Sequence, residues 1–214
     1  VLILRGLVPR LRSYLSSQPF WLEMEKRPGQ VLSHMGEEAV LALALAAHHI
    51  AGGVLMLAGH VRNDPQLWLH GLTIEIGFEI VDVLCLLTNA WPYPIVQPGL
   101  KFLTLCHHIP GMLCSPPLIF YAQAHANPSL QAIGWALLLA GGVSLFTDGV
   151  KQTRSLETQL GQWLVLHTIN LAGVIVARWW IFPKAGLELL ETMRHSDTLY
   201  NATVLGVGSM AVFN

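Results

Sequence analysis

The sequence predicts an all-α integral membrane protein with about six spanning helices, and three observations predict it. Of the 214 residues, 53% are hydrophobic. Only 12% are charged, about half the share usual in a soluble domain. Six stretches approach the roughly 20 mainly apolar residues that a hydrocarbon crossing needs: 38–59, 67–89, 102–122, 130–148, 160–182 and 197–213. Backbone polar groups in hydrocarbon must be satisfied within their own segment, so each stretch is expected to be a helix.

Residues 1–37 form a basic N-terminal segment ahead of the first stretch. Its opening apolar run is too short to span, and Arg5, Arg10 and Arg12 suit an interfacial helix or the remains of a targeting segment. Val1 stands where a Met would open a nascent chain, as in a processed or shortened start. Turn-forming residues separate the stretches that follow. His60-Val-Arg-Asn-Asp-Pro65 closes the first, Trp91-Pro-Tyr-Pro94 with Pro98 the second, and Ala126-Asn-Pro128 the third. Lys151 to Glu157 divides the fourth from the fifth, and Pro183 to Asp197 the fifth from the sixth.

Cys85, Cys106 and Cys114 lie in apolar runs without metal-type or disulfide spacing, and read as small apolar fillers. Net charge is −1, which favours neither nucleic acid nor an acidic partner. Eight Lys/Arg fall on the N-terminal side of the spans and three on the other, so both termini are expected on the cytosolic or matrix-equivalent side. The expected location is the endoplasmic reticulum or another organelle membrane, such as the mitochondrial inner membrane. Asn201-Ala-Thr203 has the form of a glycosylation acceptor but sits at the start of the last stretch. The segments His48-His49-Ile50-Ala51-Gly52 and His107-His108-Ile109-Pro110-Gly111 look alike in unlike surroundings, and read as coincidence.

Ionisable groups within spanning helices are costly, face the interior and mark function. Here the first stretch carries His48 and His49; the second, Glu75, Glu79 and Asp82; the third, His107 and His108. The fourth ends at Asp148, and the fifth holds His167, Asn170 and Arg178. At 100° per residue, the three carboxylates of the second stretch lie within about 60° of one another. His167, Asn170 and Arg178 share one side, and Asp148 shares a face with Ser144 and Gly141. Turning these stripes inward gives a polar, partly hydrated interior, in which carboxylates neutralise Arg178 or protonated histidines.

Structural explanations stand beside the functional ones. A Glu75–Arg178 pair would set helix register, and His48, His49 and His167 would be satisfied by neighbouring carbonyls. Glycines 52, 53, 141, 142, 206 and 208 would allow close helix packing. Histidines and carboxylates are also suitable metal ligands. However, neither a His-x-x-x-His pair nor the Glu-x-x-His pairs of di-iron bundles are present. Adjacent histidines leave a helix about 100° apart, so no metal site is expected.

The order of these features resembles the TRAM-LAG1-CLN8 (TLC) domain family. Gly77-Phe78-Glu79-Ile80-Val81-Asp82 is similar to that family's aromatic-rich segment ending in Asp. A proline-bearing loop follows, then the paired histidines of Leu105-Cys106-His107-His108. Gly141 to Asp148 and on to Arg154 answers to the small-polar segment, and Ala177-Arg178-Trp179-Trp180-Ile181-Phe182-Pro183 to the Arg-aromatic-Pro helix. The last stretch ends in Asn214. The likeness covers about 40–214, which makes 38–214 a TLC-like transmembrane domain.

The resemblance implies a compact helical bundle around a central cavity that admits an acyl chain. In the family's ceramide synthases, which use acyl-CoA as co-substrate, paired histidines and downstream aspartates are catalytic; here those positions are His107, His108 and Asp148. This chain continues Ile-Pro-Gly-Met after its histidines and lacks the family's His-Asp followed by a second Asp, with only Asp148 in that region. It is therefore more similar to the non-synthase members, and the leading expectation is a non-catalytic protein that binds or senses membrane lipid without a cofactor. Glu75, Glu79, Asp82, His167, Asn170 and Arg178 would be its cavity residues. A lipid acyltransferase is the second expectation. The third is an accessory subunit that contacts other membrane proteins in a larger complex.

Overall fold

The computed structural model describes residues 10, 13, 17, 32–90, 98–120, 125–152, 158–195 and 197–213. Among the described residues there is no strand. The helices are α1 (Leu32–Arg62), α2 (Pro65–Leu87), α3 (Pro98–Phe120), α4 (Pro128–Gln152) and α5 (Leu160–Val174). A π-helical segment, Ile175–Ile181, leads into α6 (Phe182–Met193), and α7 (Asp197–Phe213) closes the chain. Each of the six expected stretches is helical where it is described, except that the second ends at Leu87, two residues short of its expected bound. Three of the helices are long and apolar enough to cross a membrane: Leu41–Arg62, Pro128–Lys151 and the continuous Leu160–Met193.

Local chemistry sets most of the boundaries. Asn63 adopts the left-handed conformation (φ 53°) that ends α1. The Asp64 carboxylate then caps α2 by accepting the Gln66 and Leu67 N–H groups at 3.0 Å each. Pro65 occupies the first turn, where a missing N–H is harmless. Asn127 repeats the device at α4, accepting from the N–H groups of Ser129 (2.9 Å) and Leu130 (3.1 Å), with Pro128 in that helix's first turn. At the end of α2, Asn89 is again left-handed (φ 49°) and accepts a hydrogen bond from Lys101 Nζ in α3. The breaks at 91–97 and 153–157 lie outside the described residues, as does most of the basic segment 1–37. Helix α1 begins at Leu32, inside the segment expected to lie at the interface.

Pro183 does not end the fifth helix as the sequence suggests. A proline has no N–H for the carbonyl four residues back, here Trp179, and its ring collides with that carbonyl. Widening Ile175–Ile181 to π geometry lets the chain pass this point, and Pro183 falls in the first turn of α6. Helix α6 is strongly two-faced: Phe182, Ala185, Gly186, Leu189 and Met193 are buried, while Lys184, Glu188 and Glu191 are exposed.

The chain divides into two compact units, 1–47 with 140–174 and 48–139 with 175–214. In the second unit α2 packs on α3, and α7 packs on both α3 and α6. Its core gathers Met56, Trp68, Leu130, Ile133, Leu138, Phe182, Leu189 and Met193. Close approach is permitted by Gly52, where a Cβ would meet the Gly71 carbonyl at 3.2 Å, and by Gly53, where it would lie 2.7 Å from Leu139. Gly208, expected to serve the same purpose, faces open space.

A buried polar network crosses this core. Trp68 Nε1 donates to the Gln131 carbonyl (3.1 Å), Gln131 Nε2 donates to the His125 carbonyl (2.9 Å), and Gln131 Oε1 lies 3.2 Å from His60 Nδ1. Outside the core, large apolar side chains face outward: Leu84, Leu87, Phe102, Trp179 and Trp180 in the second unit, Leu164, Val165 and Leu171 in the first. So much exposed apolar surface is foreign to soluble monomers and suits contact with hydrocarbon.

Candidate functional site

The carboxylates of α2 organise the polar residues of the second unit. Glu75, Glu79 and Asp82 recur at helical spacing, and both Glu79 and Asp82 are buried. Each is met by a different part of the neighbouring helices. Glu75 Oε2 lies 3.2 Å from His48 Nε2, and Glu75 Oε1 lies 3.5 Å from His49 Nε2. The His48 ring stacks on Phe78, with centroids 3.7 Å apart and planes 13° from parallel. One turn further along α2, the Glu79 carboxylate lies against Gly111 of α3, where a Cβ would come within 2.8 Å of Oε2. Asp82 Oδ2 is 3.2 Å from His108 Nδ1, and the rings of His107 and His108 are tilted at 5.3 Å.

The His48–Glu75 and His108–Asp82 contacts are ion-pair distances rather than well-aligned hydrogen bonds. Both ring nitrogens of His48, Oε2 of Glu75 and Nδ1 of His108 are buried without a hydrogen bond. An unsatisfied buried polar group costs about 1–3 kcal/mol, so several gathered in one place form an expensive arrangement. Expense of that kind inside apolar helices points to use.

Two features of the sequence acquire meaning here. The segments His48–Gly52 and His107–Gly111 both turn to α2: each brings histidine to a carboxylate, and each uses its glycine for close approach. The two segments, whose likeness reads as coincidence in the sequence, thus meet the same helix. The roughly 100° between adjacent histidines also does not keep His48 and His49 apart, because both long side chains bend towards one carboxylate between them.

The remaining candidates fall as follows. Arg178 lies in the π-helical segment, near enough to His107 to act on it electrostatically. Glu75, which the sequence offered to Arg178, engages His48 and His49. In the first unit Asp148 pairs with Lys151 at 2.6 Å, one turn along the same helix. The Lys151 ammonium sits 5.4 Å from the Trp163 ring centre, and Trp163 stacks on His167 at 5.3 Å. Asn170 has a buried Oδ1 without a hydrogen bond, while His167 is exposed. Sequence reasoning missed His60, His125 and Gln131, whose spacing of 65 and 71 residues leaves no periodic signal.

Fold and site together define a class: an all-helical chain with apolar helices of membrane-crossing length and a carboxylate–histidine cluster built on one of its helices. No family model, curated protein or solved structure matches the chain.

Proposed function

We propose that this chain is a multi-pass membrane protein of the TLC type. Its polar cluster would receive the head group of a membrane lipid whose acyl chain lies among the apolar helices. In this reading the protein binds or senses lipid and performs no chemistry. One observation carries it: His48, His49, Glu75, Glu79, Asp82 and His108 meet in contacts made by three largely apolar helices. A lipid offers the chemistry such a site needs, a polar group to satisfy buried donors and acceptors and a hydrocarbon tail for the surroundings. Arg178 and the histidines would hold a phosphate or carboxyl head group, and the α2 carboxylates an amine or hydroxyl.

The test is the lipid content of the purified full-length chain. Native mass spectrometry in mild detergent should show a retained lipid that survives delipidation of the annulus. Glu79→Gln with Asp82→Asn should reduce its occupancy several-fold. A chain that carries no lipid beyond the annulus, or whose lipid is indifferent to these substitutions, would defeat the reading.

A second reading, lipid acyl transfer, is favoured by the His108–Asp82 contact. A carboxylate against one imidazole nitrogen orients the ring so that the other can accept a proton from a lipid hydroxyl or amine. That nucleophile would attack the acyl-CoA thioester, and coenzyme A would leave as the thiol after taking up the proton. Acyl transfer by the wild type, abolished in Asp82→Asn and in the His107→Ala, His108→Ala double variant, would favour this reading over simple binding.

A further inference from the structure

We propose that His48, His49 and Glu75 form a binding site for a divalent transition metal ion of the zinc type. It stands independently of the lipid reading. One ligand atom from each residue lies within 4.8 Å of the other two. In a four-coordinate zinc site with bonds of about 2.0–2.2 Å, neighbouring ligand atoms are roughly 3.3–3.6 Å apart. The carboxylate stands at comparable separations from both imidazoles through its two oxygens, Oε2 at 3.2 Å from His48 Nε2 and Oε1 at 3.5 Å from His49 Nε2.

Three further observations separate this cluster from an ordinary histidine–glutamate pair. His48 Nε2 and Glu75 Oε2 are close yet make no hydrogen bond. Their contact lacks the alignment a shared proton requires, whereas a cation needs only that the lone pairs converge. The His48 ring is held by stacking on Phe78 rather than by a hydrogen bond, which orients a ligand before metal arrives. The charge balance also calls for a cation. With both imidazoles ligating through lone pairs, one carboxylate leaves a divalent ion with a net +1, and the Asp82 carboxylate stands about two turns along the same helix.

The donor set of two imidazoles and one carboxylate suits zinc(II), iron(II) and cobalt(II), not magnesium or calcium, which prefer all-oxygen shells. Three protein ligands leave a position open for water or an exogenous group. The neighbouring His108–Asp82 pair lacks a third convergent ligand among the described residues and is not part of the site.

The experiment uses the full chain in detergent, stripped with chelator and titrated with cobalt(II), then with zinc(II) as competitor. The wild type should develop the intense visible bands of a low-coordinate cobalt centre at one equivalent, and zinc should displace them. His48→Ala and Glu75→Gln should weaken binding at least tenfold, while His195→Ala, at an exposed histidine outside the site, should not. Glu75→Gln preserves side-chain size, so it decides the matter should His48→Ala fail to remain monodisperse. A wild type that binds neither ion, or a folded Glu75→Gln protein that binds as tightly as wild type, would overturn the proposal.

Discussion

Gly111 of α3 lies directly against the Glu79 carboxylate of α2, so closely that a methyl group there would sit 2.8 Å from Oε2 and 2.9 Å from Oε1. The approach brings α3 and its histidines to the acidic face of α2, and it depends on having no side chain at position 111.

Gly111→Ala should therefore push the Glu79 carboxylate aside or separate the two helices. Overpacking of this kind costs about 1–3 kcal/mol. A lowered thermal midpoint in detergent checks it, and Glu79→Ala should relieve the clash when combined with Gly111→Ala. Additive losses in the double variant would refute the contact.

Gln131→Leu keeps the side-chain bulk but strips the core network of its hub. The His125 carbonyl and His60 Nδ1 would lose their partner. The expected penalty is about 1–3 kcal/mol, the cost of stranding buried polar groups. Trp68 donates to the main chain of residue 131 and should keep its hydrogen bond. Its fluorescence should accordingly change little while the unfolding midpoint falls.

Asp64→Ala removes the cap that accepts two N–H groups at the start of α2. Loss of a cap typically costs about 1 kcal/mol, and faster amide exchange at Gln66 and Leu67 is the local readout. Asp64→Asn should restore most of the loss, because an amide oxygen caps nearly as well.

Trp179 and Trp180 are 73% and 77% exposed on the helix that crosses Pro183. If that face meets hydrocarbon, brominated lipids should quench their emission after reconstitution. The quenched fraction should drop in a Trp179→Phe, Trp180→Phe variant. Equal quenching in the two proteins would mean that this face is shielded from lipid.

Much of the fold was legible because apolar length and turn chemistry are local properties. The six apolar stretches, the breaks marked by Pro65 and Pro128, and the acidic stripe of α2 can all be read within a few neighbouring residues. Pro183 misled for a related reason: the rule that proline ends a helix is local, but the relief came from a π segment formed upstream of it.

The sequence by itself determined that the chain is helical, that its helices are too apolar for an ordinary soluble surface, and that ionisable residues sit within them. Helical periodicity and composition suffice for that, since both act at the range of a few residues. Only the tertiary structure decided which groups meet. It matched Glu75 with His48 and His49 rather than with Arg178, set Asp82 against His108, and joined His60 to Gln131. Those pairings depend on how helices far apart in the chain settle on one another, and glycines such as Gly52 and Gly111 govern that approach without leaving a charge pattern to read.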